Sequence, residues 1–315
     1  MKKIAQHIIS TRTKFLYKAF GISVLFCVCS FVQAQQTPLY SLYSYNQYVI
    51  NPAYAGIHTY YSAHVNSRYQ FAGVENAPVT TSLSLFGPHK SLPMGWGGMI
   101  INDGQGAFSR FAAYGSYSYT INLTDVYELS FGVHAGFMQY AVDLTKVRFL
   151  HSEHNVTEKM FYSLKPDATF GAYVHSQNLY AGLSIDQLFR NEIDVIEDTI
   201  VMNNETIYHL LNHVTLNGGY IYTYNSDIEI QPSVLIRYFY RTPLQIELGA
   251  TAIYKNIISA GVQFRSGGAC ITHFAYNYRN RVQFGYAYDL NYSALRKDSF
   301  GSHEIYVGLR FNSIK

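Results

Sequence analysis

Histidines, carboxylates and a serine-bearing strand face are the groups in this sequence with the means to bind or transform a ligand. His209-x-x-x-His213 has the spacing that puts two imidazoles on one side of a helix, and residues four apart in a strand also share a face. A zinc site there needs a third ligand at a fixed spacing, and the other close pair, His151 and His154, belongs to a different loop. Solvated loop histidines are the plainer reading. Asp186, Glu192, Asp194, Glu197 and Asp198 make an acidic stretch whose oxygens suit calcium, but no Asp-x-Asp-x-Asp-Gly loop organises them. Asn102-Asp103-Gly104-Gln105-Gly106 reads as a turn, since no helix pattern follows to complete a phosphate cradle. Serines and histidines recur on one strand face, as in a barrel phospholipase, yet nothing ties one Ser to one His and a third group. No catalytic, cofactor-binding or metal-binding residue is assigned, and the expectation is a protein that is not an enzyme.

The elements that carry these residues alternate. In the closing stretch, Ile305, Val307, Leu309 and Phe311 interleave with Glu304, Tyr306, Gly308 and Arg310, so one face is apolar and the other holds charge and glycine. The same period of two recurs over 60–70, 80–86, 95–102, 111–123, 129–139, 168–175, 179–185, 214–224, 228–239, 244–254, 258–265, 270–278, 282–288 and 303–311. About fourteen strands result, an even number as single-chain outer-membrane barrels require. The fold class expected is all-β: a transmembrane antiparallel β-barrel with short periplasmic turns and longer extracellular loops.

Composition agrees. Tyr numbers 30, aromatics reach 16% and charged residues only 14%, which suits aromatic girdles at two membrane–water interfaces. A mean hydropathy of −0.04 excludes a bundle of apolar transmembrane helices. The net charge is +3 with basic residues scattered rather than striped, so nucleic acid is not an expected partner. Lys2, Lys3, Arg12, Lys14 and Lys18 precede the apolar run Ala19 to Val32, and Val32-Gln33-Ala34 offers a cleavage site, so 1–34 is expected to be a removed signal peptide. Cys27 and Cys29 fall within that run, leaving Cys270 alone in the mature chain and no internal disulfide. Residues 35–59 are expected to form a periplasmic lead and a turn at Asn51-Pro52-Ala53-Tyr54-Ala55-Gly56, its tyrosines packed at the barrel's periplasmic rim. The barrel then occupies 60–315.

Connections set the orientation. With the first strand starting in the periplasm, Gln177-Asn178, Asn225-Ser226-Asp227, Lys255-Asn256 and Tyr278-Arg279-Asn280 fall at one end as short turns. Val142 to Pro166, Asp186 to His209 and Asn291 to Ser302 fall at the other as long loops, with Arg241-Thr242-Pro243 and Ser266-Gly267-Gly268 as short exceptions. The charges His64, Arg68, Glu229, Arg237, Glu247, Arg265, Asp289, Glu304 and Arg310 all lie opposite the apolar row. A cation facing lipid at the midplane costs about 2–4 kcal/mol, so a barrel would turn them inward. A soluble β-sandwich is the competing fold; the export signal and the tyrosine content argue against it.

Specific residues also resemble a known family. Asn51, Pro52, Ala53, Tyr54, Ala55 and Gly56, followed by Arg68, Gln70, Gly73, Ala77 and Pro78, resemble the opening signature of PorP/SprF outer-membrane proteins of the type IX secretion system in Bacteroidota. Phe71 stands where that family usually has Trp. The closing Ser302, His303, Glu304 and Ile305, and Gly285-Tyr286-Ala287-Tyr288-Asp289 before them, are similar to the same family.

The resemblance implies a non-enzymatic role at the cell outer membrane, without a cofactor. It implies help in the export or surface anchoring of a secreted protein, often an adhesin used in gliding motility, that carries a type B C-terminal sorting domain, together with other type IX secretion components. On that reading Arg68, Arg237 and Glu247 are candidate lumen contacts to the sorting domain. The alternative is a small-molecule channel of the fatty-acid-transporter type, set like its rival in the lipid bilayer.

Overall fold

The structure is a computed structural model describing residues 37–146, 160–193, 208–240, 242–292 and 297–312. Residues 1–34, with the expected signal peptide, lie outside the described residues. The strands are β1 Tyr61–Tyr69, β2 Val79–Pro88, β3 Met94–Gln105, β4 Phe108–Asn122, β5 Glu128–Asp143, β6 Met160–His175 and β7 Leu179–Asp186. They continue as β8 Glu192–Ile193, β9 Tyr208–His209, β10 His213–Tyr220, β11 Tyr222–Thr223, β12 Ile228–Phe239, β13 Gln245–Tyr254, β14 Ile258–Arg265, β15 Ala269–Tyr278, β16 Val282–Asn291 and β17 Ser302–Phe311.

Neighbours in sequence pair antiparallel, and β1 pairs with β17 from Tyr61↔Phe311 to Tyr69↔His303, which closes the ring. Counting β11 as the continuation of β10, and setting aside the two-stranded β8–β9 ribbon, the result is a closed barrel of 14 strands. The ladder between β10–β11 and β12 lapses at Tyr220 and Ile221, which face Pro232 and Gln231, and Pro232 has no N–H to contribute.

Burial is inverted relative to a soluble sheet. In β1, Ser62, His64, Asn66 and Arg68 are buried, while Val65 and Tyr69 on the other face are exposed. Leu83, Leu85, Phe131, Val133, Leu248 and Phe264 likewise point outward. Apolar surface on the outside and polar groups within is what lipid outside and an enclosed lumen demand. This arrangement disposes of the sandwich alternative.

The strands fall where alternation put them, with differences at one end. Val142 to Pro166 was expected as loop, yet β5 and β6 pair continuously from Glu128↔His175 to Asp143↔Met160. Pro166 read as a breaker; it is accommodated because β6 pairs with β7 only over Phe170–His175, so its missing N–H interrupts no β6–β7 bond. Asn102 to Gly106 was expected as a turn, whereas β3 runs on to Gln105 and the reversal occurs at Gly106-Ala107. The β3–β6 wall is therefore taller than the rest of the barrel.

Candidate functional site: a lumen filled by the N-terminal segment

The N-terminal segment runs inside the barrel. Leu39, Tyr40, Ser41, Leu42, Tyr43, Asn46, Gln47, Tyr48, Asn51, Ala53 and Ala55 are all buried. The segment expected as a periplasmic lead and turn over 35–59 is thus, over the described part, a plug within the lumen. Its backbone is compact because it must satisfy its own polar groups in little space. Turns at Leu42–Asn46 are closed by Tyr45 N–H donating to Leu42 O at 3.0 Å and Asn46 N–H donating to Tyr43 O at 3.1 Å. Short 3₁₀ turns follow at Gln47–Val49 and Pro52–Gly56.

Near the outer end, Ser41 sits in an ionic knot. Arg68 Nη2 lies 2.6 Å from Asp289 Oδ2 and its Nη1 3.3 Å from Glu304 Oε2. Arg265 Nε lies 2.6 Å from Glu247 Oε2 and its Nη1 3.0 Å from Asp289 Oδ2. The Ser41 hydroxyl donates to Asp289 at 2.8 Å and accepts from Arg68 at 2.7 Å and Arg265 at 3.1 Å. Ser41 N–H donates to Glu304 Oε2 at 2.6 Å. All five charged groups are at most 5% exposed, and mutual pairing, these hydrogen bonds and those from Leu42 N–H and the Asn66 amide to Glu304 Oε1 offset the lost hydration. One neutral serine completes the shell of two guanidinium and three carboxylate groups.

Further along, the plug bonds to strands all around the ring. Tyr45 Oη is 2.9 Å from Ser259 Oγ on β14, and Asn46 donates to Asn66 on β1 at 2.9 Å and Ser84 on β2 at 3.3 Å. Gln47 Oε1 accepts from Tyr173 on β6 at 2.8 Å and Asn217 on β10 at 3.0 Å. Tyr48 stacks on Phe86 with ring centroids 4.4 Å apart and shares a hydroxyl–hydroxyl bond with Ser116.

Towards the periplasmic end, Asn51 caps the Pro52–Gly56 turn by accepting from Ala53 N–H at 3.0 Å. Its side-chain amide donates to Ala172 O at 3.0 Å and Leu183 O at 3.2 Å. Close approach here needs the absence of side chains on the wall. A Cβ on Gly132 would strike the Pro52–Ala53 backbone, and one on Gly171 would strike the Asn51 side chain. The lumen-facing glycines and the Asn-Pro-Ala-Tyr-Ala-Gly run are two halves of one packing contact.

The candidate lumen contacts are all inward and buried, but two of the three are engaged by the ionic knot. Arg68 bonds Ser41 itself, and Glu247 bonds Arg265, which also reaches Ser41. Arg237 stands apart, with Nη1 3.5 Å from Gln245 and no hydrogen-bond partner for Nη2. It lines a small cavity beside the plug with Thr37, Tyr40, Arg110, Asp167 and Gln187. His213 reaches that region too, its Nδ1 3.0 Å from Thr37 Oγ1. His151, His154, Asp194, Glu197 and Asp198 lie outside the described residues, as does the side chain of His209.

The remaining signature residues knit the outer ends of the first and last strands. Gln70 N–H donates to Pro78 O at 2.9 Å, closing the first outer loop. Ala72 N–H donates to Gly301 O and Phe300 N–H returns to Ala72 O, each at 2.7 Å. Phe71 N–H donates to Ser302 Oγ at 3.1 Å, and Gly73, at φ 93°, lies against the Phe300 ring. The opening and closing halves of the resemblance therefore meet in space. Ala77 and Pro78 end that loop, His303 Nδ1 lies 2.7 Å from the Tyr286 hydroxyl, and Ile305 faces outward.

The sequence profile of the family described as type IX secretion system membrane protein PorP/SprF matches residues 32–309. The chain belongs to the PorP/SprF family. As a PorP/SprF barrel it is an outer-membrane protein of the type IX secretion family, the location its inverted burial already required. No curated protein matches the chain. Among solved structures it is similar to the CymD monoaromatic hydrocarbon channel, at 12% identity over 85% of this chain and 93% of that one, with a TM-score of 0.50. The Pseudomonas putida toluene transporter TodX matches at 8% identity over 86% and 94% of the two chains, with a TM-score of 0.46. A Pseudomonas aeruginosa FadL homologue matches at 9% over 81% and 89%, with a TM-score of 0.44. At 12% identity the likeness to CymD speaks for the barrel fold alone.

Proposed function

We propose that this PorP/SprF barrel is a non-enzymatic docking platform that assists the export or surface anchoring of a secreted, adhesin-like protein with a type B C-terminal sorting domain. The observation that carries this reading is the filled lumen. Residues 37–51 bond to strands around the ring, so among the described residues the space a folded domain would need to pass is occupied by the plug. Contact with the secreted partner then falls to the outer end, where the long connections and the tall β3–β6 wall stand. Arg68 and Glu247 act on the partner only through the plug they hold; Arg237, beside the outer cavity, is the candidate for direct contact.

The rival reading, a small-molecule channel, draws support from the fold likeness to a hydrocarbon channel. It requires the plug to shift or solutes to find another route. Deleting the gene and profiling the cell-surface proteome separates the two. The platform reading expects one large secreted protein to leave the surface, with the remaining envelope proteins unchanged. An unaltered surface accompanied by altered solute uptake would overturn it in favour of the channel.

A further inference from the structure

The periplasmic ends of the β13–β14 and β15–β16 hairpins are built alike. Tyr254-Lys255-Asn256-Ile257 and Tyr278-Arg279-Asn280-Arg281 are both four-residue turns, set in three-residue connections between strand ends that pair as Tyr254↔Ile258 and Tyr278↔Val282. One is closed by Ile257 N–H donating to Tyr254 O at 2.9 Å, the other by Arg281 N–H donating to Tyr278 O at 3.0 Å. Both central residues of each are left-handed, Lys255 and Asn256 at φ 52° and 55°, Arg279 and Asn280 at φ 53° and 55°. Such a turn favours Asn, Asp or Gly at both positions. Asn fills the second position each time, whereas a long cation takes the first, where its Cβ is disfavoured. The turn geometry alone does not ask for that choice once, still less twice.

Each cation lies over the ring of the tyrosine before it, Lys255 Nζ at 5.3 Å and Arg279 Cζ at 5.2 Å from the centroids. The two turns are locked side by side by Asn277. Its N–H donates to Ile257 O at 2.7 Å, and its side-chain amide donates to Asn256 O at 3.0 Å and Asn280 Oδ1 at 2.9 Å. Arg281 adds a third exposed cation, and Asp227, 3.5 Å from Lys255, offsets only one of the three. Tyr254 and Tyr278 are 48% and 45% exposed on the lipid-facing side of the wall, so the cations stand where acyl chains give way to headgroups. Around the β4–β5 turn of the same rim the charge reverses, with Asp125 and Glu128 exposed, and the β2–β3 turn carries the single cation Lys90.

We propose that these paired turns form a binding site for the phosphate headgroup of an anionic phospholipid in the periplasmic leaflet. The guanidinium and ammonium groups donate to the phosphate oxygens, and the outward tyrosine rings pack along the glycerol and upper acyl carbons. The outward placement of the tyrosines selects a lipid over an acidic protein surface, because a soluble partner would not be met on the lipid side of the wall.

The test uses the full-length barrel in detergent, with phosphatidylglycerol and phosphatidylethanolamine supplied together and retained lipid read by native mass spectrometry. Wild type is expected to retain phosphatidylglycerol preferentially. Lys255→Asn and Arg279→Asn place a residue suited to φ > 0 at each turn, so folding is preserved or improved while the preference falls about fivefold per cation removed. Arg281→Gln, outside the left-handed positions, is expected to weaken retention on its own. Equal retention of both lipids by wild type, or an undiminished preference in the double Asn variant, would overturn the proposal. Capture of wild type by immobilised polyglutamate without any lipid preference would also overturn it, by assigning the turns to a protein partner.

Discussion

The outer and periplasmic halves of the plug are held by different physics. Around Ser41 the contacts are charge-assisted hydrogen bonds among Arg68, Arg265, Glu247, Asp289 and Glu304, strong and directional but balanced against the desolvation of five charges. Around Asn51–Gly56 the contacts are shape and neutral hydrogen bonds, with wall glycines giving up side chains so that backbone meets backbone. The first arrangement tolerates no loss of a partner. The second tolerates no gain of an atom.

That contrast is testable from its largest consequence downward. Arg68→Ala strips Asp289 and Glu304 of their shared guanidinium and should lower stability by about 3–5 kcal/mol in urea titrations of the folded barrel. A loss below about 1 kcal/mol would mean that water, not the plug, satisfies those carboxylates. Gly132→Val should destabilise by about 1–3 kcal/mol through overpacking against Pro52 and Ala53. If the plug yields instead of the wall, planar-bilayer conductance should rise in that variant and remain at the wild-type level in Arg68→Lys. Asn51→Ala leaves Ala172 O and Leu183 O short of a donor, an expected loss of about 1–3 kcal/mol by the same titration. Combining it with Arg68→Ala should give an additive result to within about 0.5 kcal/mol if the two halves act independently; a larger coupling would make the plug one cooperative unit. Tyr45→Phe removes the bond to Ser259 and should cost about 0.5–1.5 kcal/mol, the smallest effect of the series.

Much of the fold was legible because the side-chain period of two is imposed by the pleat and by two different solvents at once. Every wall strand announced itself through that alternation, and the short and long connections sorted by end. Strand ends above the bilayer were harder to read. There Pro166 and Lys165 resemble a loop, and only the pairing with Phe137 and Met138 shows otherwise. The plug was not legible in its own residues, since a segment that turns every few positions has no period. A sign of it lay in the wall. Gly132, Gly171, Gly182, Ser84, Ser116 and Ser184 all turn small side chains toward the lumen, leaving a void too large for them to fill. The family signature marked Asn51 to Gly56 as important without saying that they pack against those glycines.

Ser41 touches three successive staves of the ring, Asp289 on β16, Glu304 on β17 and Arg68 on β1, and the join between the last two is where the cylinder shuts. The serine therefore acts as a clasp: the same hydroxyl and amide that hold the leading segment in the lumen also bridge the strands on either side of the seam, so seating the segment and shutting the cylinder reinforce each other.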